Sequence, residues 1–315
     1  MSRYLHIEKG GLLTTIQDRG RTGYQQFGMV VAGAMDAFSH QVANCLVGNL
    51  RDEASMEITM VGPVLRFEED TWIALAGGDL SPQVDGKPIP MWSSCFIRGG
   101  ERLSFGKARQ GIRTYLAVAG GFEVESVMGS RSTYIKAGIG GWQGRALEQG
   151  DQIPLGSAKV MRSFRRWLAV GERPHYKKSI RLRVVLGPQA SMFVKGALET
   201  LFTTSFEITP HADRMGYRLK GSPLSYQERA DILSDATAPG SIQVTQEGQP
   251  IILMADRQTT GGYGKIATVI STDLSILAQA SPGHKVTFAP IDVEEAHRLY
   301  REQEHFLRRL EVAGR

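Results

Sequence analysis

Two cysteines, Cys45 and Cys95, are all that 315 residues contain. That scarcity excludes a disulfide-stapled secreted fold and the paired CxxC motifs of zinc and thiol-redox centres. Long apolar runs are missing too: the opening "SRYLHIEKGGLL" has no stretch long enough for a signal peptide or a membrane span. Reduced thiols and the lack of such a segment lead to the expectation of a soluble, cytoplasmic protein without membrane association. The usual catalytic signatures are absent as well, with no HExxH and no GxSxG. "GGYGKIA" (261–267) departs from a phosphate loop, because Thr259 stands where the first glycine belongs and Ile266 replaces the Ser/Thr that binds magnesium. "GIGGWQG" (138–144) misses the dinucleotide fingerprint, since Gln143 falls at the third glycine. The seven histidines are scattered, and His40 is expected on the polar side of a helix. Zinc enzyme, Rossmann dehydrogenase and hydrolase elbow are set aside, and no metal site is expected.

Glycine, in contrast, is plentiful at 36 residues, scattered among short Val/Ile/Leu/Thr runs. Three segments, "RGGERLSFG" (98–106), "EQGDQIPLG" (148–156) and "SPGHKVTFA" (281–289), each pair a glycine turn with apolar residues two apart. That is the period of a half-buried strand. Such spacing predicts antiparallel sheets or barrels rather than βαβ units. Helical spacing predicts three helices. In "GAMDAFSHQVANCLVGN" Met35, Phe38, Val42, Cys45 and Leu46 share a face and Gly48 ends the helix, which places Cys45 in the core. "SMFVKGALETLF" (191–202) is the second. The third is "DVEEAHRLYREQEHFLRRL" (292–310), where Asp292 caps and Val293, Ala296, Leu299, Tyr300, Phe306 and Leu310 form a stripe for docking on the core.

The formal charge of +5 is unevenly spread. Residues 159–183 hold nine Lys and Arg against Glu172, so this stretch is +8 and the remainder about −3 (5 − 8). A nucleic-acid patch is one reading, but no recognisable binding motif lies beside it. A solvated connector is the other, and it is preferred. The expected organisation is a mainly β protein with a few helices: a β-rich lobe over 1–157, a basic connector over 158–179, and a second β-rich lobe over 180–315 that ends in a helix.

Polar loops carry what chemistry there is. "DRQTTGGYGK" (256–265) lies between apolar runs at 251–254 and 266–270 that read as buried strands. "TTIQDRGRTGYQQFG" (14–28), "GSRSTY" (129–134) and "HADRMGYRL" (211–219) use the same vocabulary of Asp-Arg pairs, hydroxyls and Gly-Tyr. Arginine forks pair with carboxylate or phosphate. Hydroxyls and glycine N–H groups donate to developing oxyanion charge, and an aspartate orients the arginine or acts as a base. The alternative is that the Asp-Arg pairs are structural pins and the glycines only make turns. If the loops share a site, its catalytic residues are Asp256, Arg257, Thr259, Thr260 and Asp18. Its substrate-binding residues are then Arg19, Arg21, Arg131, Ser130, Thr133, Arg214, Gln258, Gly261, Gly262 and Tyr263, with the two glycines letting backbone approach the substrate.

Taken in order, "GLLTTIQDRGRTGYQQFG", "GAMD", "VGN", "AVAGG", "MGSRSTY", "GDQI", "GSIQV" and "ADRQTTGGYGKIATVI" resemble the biotin-dependent carboxyltransferase-like family. That family contains the C subunit of 5-oxoprolinase (KipA) and one half of the carboxyltransferase region of urea carboxylase. The resemblance implies two barrel-like, cyclophilin-like lobes. It also implies obligate partners: a KipI-like B subunit, and a LamB/YcsF-like A subunit that completes an ATP-dependent enzyme opening 5-oxo-L-proline to L-glutamate. Two other roles stay open, the carboxyltransferase half of a biotin-dependent urea or amide carboxylase, and a non-catalytic antagonist of a KipI-like inhibitor of a sensor kinase. The chain shows no biotinyl-acceptor lysine between methionines, so no cofactor is expected to be bound covalently. ATP is used by the complex, and biotin enters only in the carboxylase reading, which the stand-alone length disfavours. One departure is Gly264, where the family resemblance implies proline; it is expected to loosen the end of the loop.

Overall fold

The computed structural model describes residues 3–157, 165–228 and 230–314. Residues 158–164 of the expected connector, with Lys159 and Arg162, lie outside the described residues. The chain groups into two compact units: residues 1–21, 32–175 and 304–315 in the first, residues 22–31 and 176–303 in the second.

In the first unit the strands form two sheets. One runs in the order Gln152–Leu155, Arg3–Lys9, Val64–Phe67, Arg102–Ser104, Gln83–Val84, Lys87–Pro88. The other runs Leu13–Gln17, Ser55–Thr59, Gln110–Val118, Thr71–Asp79, Ser93–Ile97. Ser55–Thr59 is buried throughout and Thr71–Asp79 nearly so, because helix α1 (Ala37–Val47) packs against this sheet. Asp36 caps α1 by accepting from the Ser39 N–H (2.9 Å), and Gly48 ends it in the left-handed region at φ 80°. Cys45 is buried as expected. His40 corrects the expectation of a polar face: it is fully buried, its Nδ1 2.7 Å from the Ser55 hydroxyl.

The second unit closes into a seven-stranded barrel in the order Ser179–Leu186, Lys265–Val269, Ser241–Val244, Pro250–Leu253, Gly216–Lys220, Phe206–Ala212, Lys285–Pro290. The first and last strands close it in parallel register from Ser179↔Lys285 to Val184↔Pro290. Ile180, Leu182 and Val184 point inward between exposed or half-exposed neighbours, the two-residue alternation of a strand with one wet face. The three glycine-led segments all supply strands.

Helix α2 (Lys195–Thr203) starts later than expected, after a 3-10 turn at Ala190–Met192. Helix α3 (Ser271–Leu277) had no sequence expectation. Helix α4 (Val293–Gly314) runs four residues beyond the expected end, with Asp292 accepting from the Glu295 N–H (2.7 Å). Its expected stripe is only partly covered: Val293 and Tyr300 are exposed, Ala296, Leu299, Phe306 and Leu310 are half-buried, and the buried Leu307 lies outside the stripe. Residues from Glu304 on group with the first unit, where Phe306 stacks on Phe38 (6.1 Å) and Glu304 pairs with Arg51 (2.8 Å).

Residues 165–168 of the basic stretch run beside the edge strand Ser93–Ile97. Ser94 N–H donates to the Arg166 carbonyl, Leu168 N–H donates to the Trp92 carbonyl (both 2.8 Å), and the Arg166 guanidinium donates to the Gly314 carbonyl. No helix among the described residues is long and apolar enough to cross a membrane.

Candidate functional site

"DRQTTGGYGK" is not a plain loop. Thr260–Tyr263 is a strand that pairs with Asp231–Ala236 as a separate two-stranded ribbon beside the barrel, with Gly261 opposite Asp235 and Tyr263 opposite Asp231. The polar residues ahead of it sit on the turn that leaves Pro250–Leu253. Asp256 and Arg214 form a bidentate pair at 2.8 and 2.9 Å, both side chains about nine-tenths buried. The Asp256 N–H also donates to the Arg214 carbonyl (2.8 Å). A closed two-point pair of this kind fixes the turn and leaves Asp256 little freedom to act as a base.

Arg257 differs. It is 7 % exposed and has no carboxylate partner among the described residues. Its Nε donates to the Thr237 carbonyl at 3.4 Å and one terminal nitrogen reaches the Met254 carbonyl at 3.5 Å, both long. Burial alone pushes its pKa down, to about 10. A guanidinium taken out of water without a counter-charge is costly, by several kcal/mol, and an incoming anion removes that cost. Around it Gln258 and Thr260 are exposed, Thr259 and Gly262 half-buried, and Tyr263 is 37 % exposed. Gly261 is buried beside the side-chain amide of Gln243, which occupies the space a Cβ would need. At Gly262 an added Cβ would meet only the Ile232 carbonyl oxygen at 3.6 Å and Ser234 Oγ at 4.0 Å, ordinary van der Waals contacts, so that position tolerates a side chain where Gly261 does not.

A second cluster lies within the first unit. The Asp18 carboxylate accepts from Ser130 Oγ (2.6 Å), Ser132 Oγ (2.5 Å), Arg131 N–H (2.5 Å) and Gly20 N–H (2.8 Å). Burial pushes its pKa up, but the two hydroxyls and two backbone donors outweigh burial and hold it below the usual range. Asp18 is therefore a clasp between two loops and a weak base. Arg21 is buried and donates to the Ser132 carbonyl. Thr133 Oγ1 donates to the Ile16 carbonyl (2.9 Å), and Arg131 pairs with Glu53 (2.8 Å). Arg19 is exposed.

Thus Asp18, Arg21, Ser130, Arg131 and Thr133 gather in the first unit, and Arg214, Asp256 and Arg257 in the second. Sequence reasoning missed Thr237, Asp235 and Lys265, and counted Ser132 among the polar residues of its loop without giving it a role. Ser132 and Lys265 lay inside quoted motifs and offered a signal. Thr237 and Asp235 became visible only through pairing across the ribbon. His40 was misplaced; burial lowers its pKa to about 4 although Asp18, Glu57 and Asp52 pull it upward.

Residues 27–290 match the family model for the carboxyltransferase domain, subdomain A and B. Over 306 residues the chain is 36 % identical to the C subunit of 5-oxoprolinase from Escherichia coli (strain K12), covering 97 % of each. The corresponding Haemophilus influenzae protein is 36 % identical over 93 % of each. Urea amidolyase of Lachancea kluyveri is 31 % identical over 97 % of this chain, which spans 18 % of that protein. The crystal structure of Kluyveromyces lactis urea carboxylase superposes with a TM-score of 0.93 at 28 % identity, over 98 % of this chain and 29 % of that one.

Proposed function

Because the chain belongs to the carboxyltransferase domain family, subdomain A and B, we propose that it is the C subunit of a cytoplasmic, ATP-dependent 5-oxoprolinase. In this reading it works with a KipI-like B subunit and a LamB/YcsF-like A subunit to open 5-oxo-L-proline to L-glutamate. The likeness to two 5-oxoprolinase C subunits over nearly their whole length supports the assignment.

The single observation that carries it is the buried, uncompensated Arg257. 5-Oxoproline presents one carboxylate, and a planar fork in a dry site is a receptor for that group. Thr259 and Thr260 supply neutral donors beside it for the lactam oxygen, where negative charge grows as the ring opens. Arg214 and Asp256 hold the turn, and Asp18 holds the loops of the first cluster. ATP supplies the phosphoryl group that turns a poor lactam electrophile into a good one. Arg257 fits any anionic oxygen, carboxylate or phosphate, and this reading assigns it to the substrate carboxylate.

The test is Arg257→Lys in the complex reconstituted with both partner proteins, followed by turnover and melting temperature. The substitution keeps the charge and removes the fork. Unchanged melting with at least a tenfold loss of turnover, about 1.4 kcal/mol, supports the anchor; normal turnover sinks it. The chain alone is expected to be inactive toward 5-oxoproline and ATP, and full turnover by the purified chain overturns the need for partners. A second reading, the carboxyltransferase half of a biotin-dependent urea or amide carboxylase, is favoured by the superposition on urea carboxylase. Carboxylation of urea from a carboxylated biotinyl carrier added to the chain decides for it.

A further inference from the structure

We propose that Lys265 is a positioning residue for Arg257, acting through the strand Asp231–Ala236, a role that presupposes Arg257 as the anion anchor. Lys265 opens the barrel strand Lys265–Val269 and is 4 % exposed, although lysine is almost never fully buried unless paired. Its ammonium donates to the Asp235 carboxylate and to the Ala236 carbonyl (2.8 Å). Its backbone N–H donates to Gln189 Oε1 (3.2 Å). The next residue along, Thr237, makes three bonds to the site turn. Its N–H donates to the Thr259 carbonyl (3.0 Å), its hydroxyl to the Gln258 carbonyl, and its own carbonyl accepts from Arg257 Nε (3.4 Å).

One peptide step therefore separates the carbonyl that Lys265 holds from the carbonyl that Arg257 leans on. The guanidinium has no carboxylate among the described residues to orient it, so its direction depends on where the Thr237 and Met254 carbonyls sit. Two features leave the ribbon unable to fix Thr237 by itself. Among the described residues the strand Asp231–Ala236 pairs only with Thr260–Tyr263, and it loses regular register between Asp231 and Asp235. It is also largely exposed, with Leu233 94 % exposed. A two-stranded ribbon is marginal in water. The buried ammonium ties its end to the rigid barrel strand and so sets the fork.

The Asp235 side chain is 51 % exposed, but Asp235→Asn leaves the buried Lys265 ammonium without its carboxylate partner, so the variant is expected to lose stability and is compared well below its melting temperature. Lys265→Met keeps the stem and removes the charge. The measurement uses the 15N-labelled full chain. The Arg257 Nε–Hε signal, assigned by its loss in Arg257→Lys, is followed during titration with 5-oxo-L-proline and, separately, inorganic phosphate. Hydrogen exchange at the Thr237 N–H is recorded alongside.

Both variants are expected to shift the Arg257 Nε–Hε signal in the free protein and to speed Thr237 exchange at least tenfold. They should also weaken 5-oxoproline binding at least fivefold, with the double variant no worse than either single one and Asp235→Glu restoring all three. If Lys265→Met fails to fold, Asp235→Asn and Asp235→Glu carry the same comparison. A wild-type Nε–Hε shift and wild-type Thr237 exchange in Asp235→Asn overturn the positioning role. If neither anion binds the wild-type chain, the anchor reading is what fails, while the shift and the exchange still decide whether Lys265 sets the fork.

Discussion

Acidification from pH 7 to pH 5 is expected to cost this protein about 2 kcal/mol through His40 alone. The imidazole is fully buried on α1, its Nδ1 engaged with Ser55 and its ring edge-on to Tyr115. Nε2 has no hydrogen-bond partner among the described residues. Burial lowers the pKa from 6.5 to about 4, against the pull of Asp18, Glu57 and Asp52. Between those values the unfolded chain binds a proton that the folded chain refuses. Stability from His40 is therefore complete above about pH 6.5, is lost as pH falls, and is gone below about pH 4. The whole span is worth about 3 kcal/mol at 1.36 kcal/mol per unit. Asp18 loses its contribution lower, below its unfolded value of 3.8, so the two windows barely overlap. His284, also lowered by burial, adds to the same window but is common to wild type and variant. The assay is urea unfolding at pH 7, 6 and 5 for wild type and His40→Gln. The stability difference between the two proteins should change by about 2 kcal/mol across that range. A difference that stays constant within about 0.3 kcal/mol, near the error of such measurements, refutes the buried neutral histidine.

Asp256→Asn deprives buried Arg214 of its bidentate carboxylate and should destabilise by about 3 kcal/mol in chemical denaturation, with the double variant Arg214→Met, Asp256→Leu recovering most of the loss. Gly261→Ala drives a Cβ to 2.4 Å from Gln243 Nε2 and should cost about 1 kcal/mol, because an amide can swing aside. Gly262→Ala, whose Cβ meets nothing closer than an ordinary van der Waals contact, should melt like wild type. Arg166→Gln removes a bond to the end of α4 and should cost about 1 kcal/mol, whereas Arg165→Gln is expected to be neutral by the same thermal assay. Gly264→Pro sets a chain-stiffening gain of up to about 1 kcal/mol against the lost N–H bond to Ala230 (3.3 Å) and a ring carbon of Tyr226 at 3.0 Å. Tyr226 is held by Phe193 and by the Val244 carbonyl and cannot retreat. The net should be a small loss in melting temperature.

Legibility in the sequence followed the range of the forces involved. Strands at Arg102–Ser104, Gln152–Leu155 and Lys285–Pro290 were readable because alternation and a preceding glycine turn are local signals. The Asp36 cap and the Gly48 stop of α1 were readable for the same reason. The break between Met192 and Lys195 was not, since apolar spacing continues across it and the 3-10 turn leaves no mark in the pattern. His40 failed differently. Its place on the helix was right, but which side of α1 is wet depends on the sheet laid over it, and His40 is paired there with Ser55 of that sheet.

At the site, residue types were legible and their duties were not. Asp18, Asp256 and Arg257 look alike in the string, as members of Asp-Arg pairs in glycine-rich loops. Folding separates them by counting partners. Asp18 collects four donors, Asp256 collects a whole guanidinium, and Arg257 collects two distant carbonyls. An ion whose hydrogen bonds are filled has no incentive to meet a substrate, because any new contact must first replace a good one. An ion buried without a counter-charge already bears the desolvation cost, so each contact an anion makes with it is gain. Partner count, a property of long-range packing, thus divides structural charge from receptive charge, and it sets Arg257 apart from Arg214, whose fork Asp256 fills.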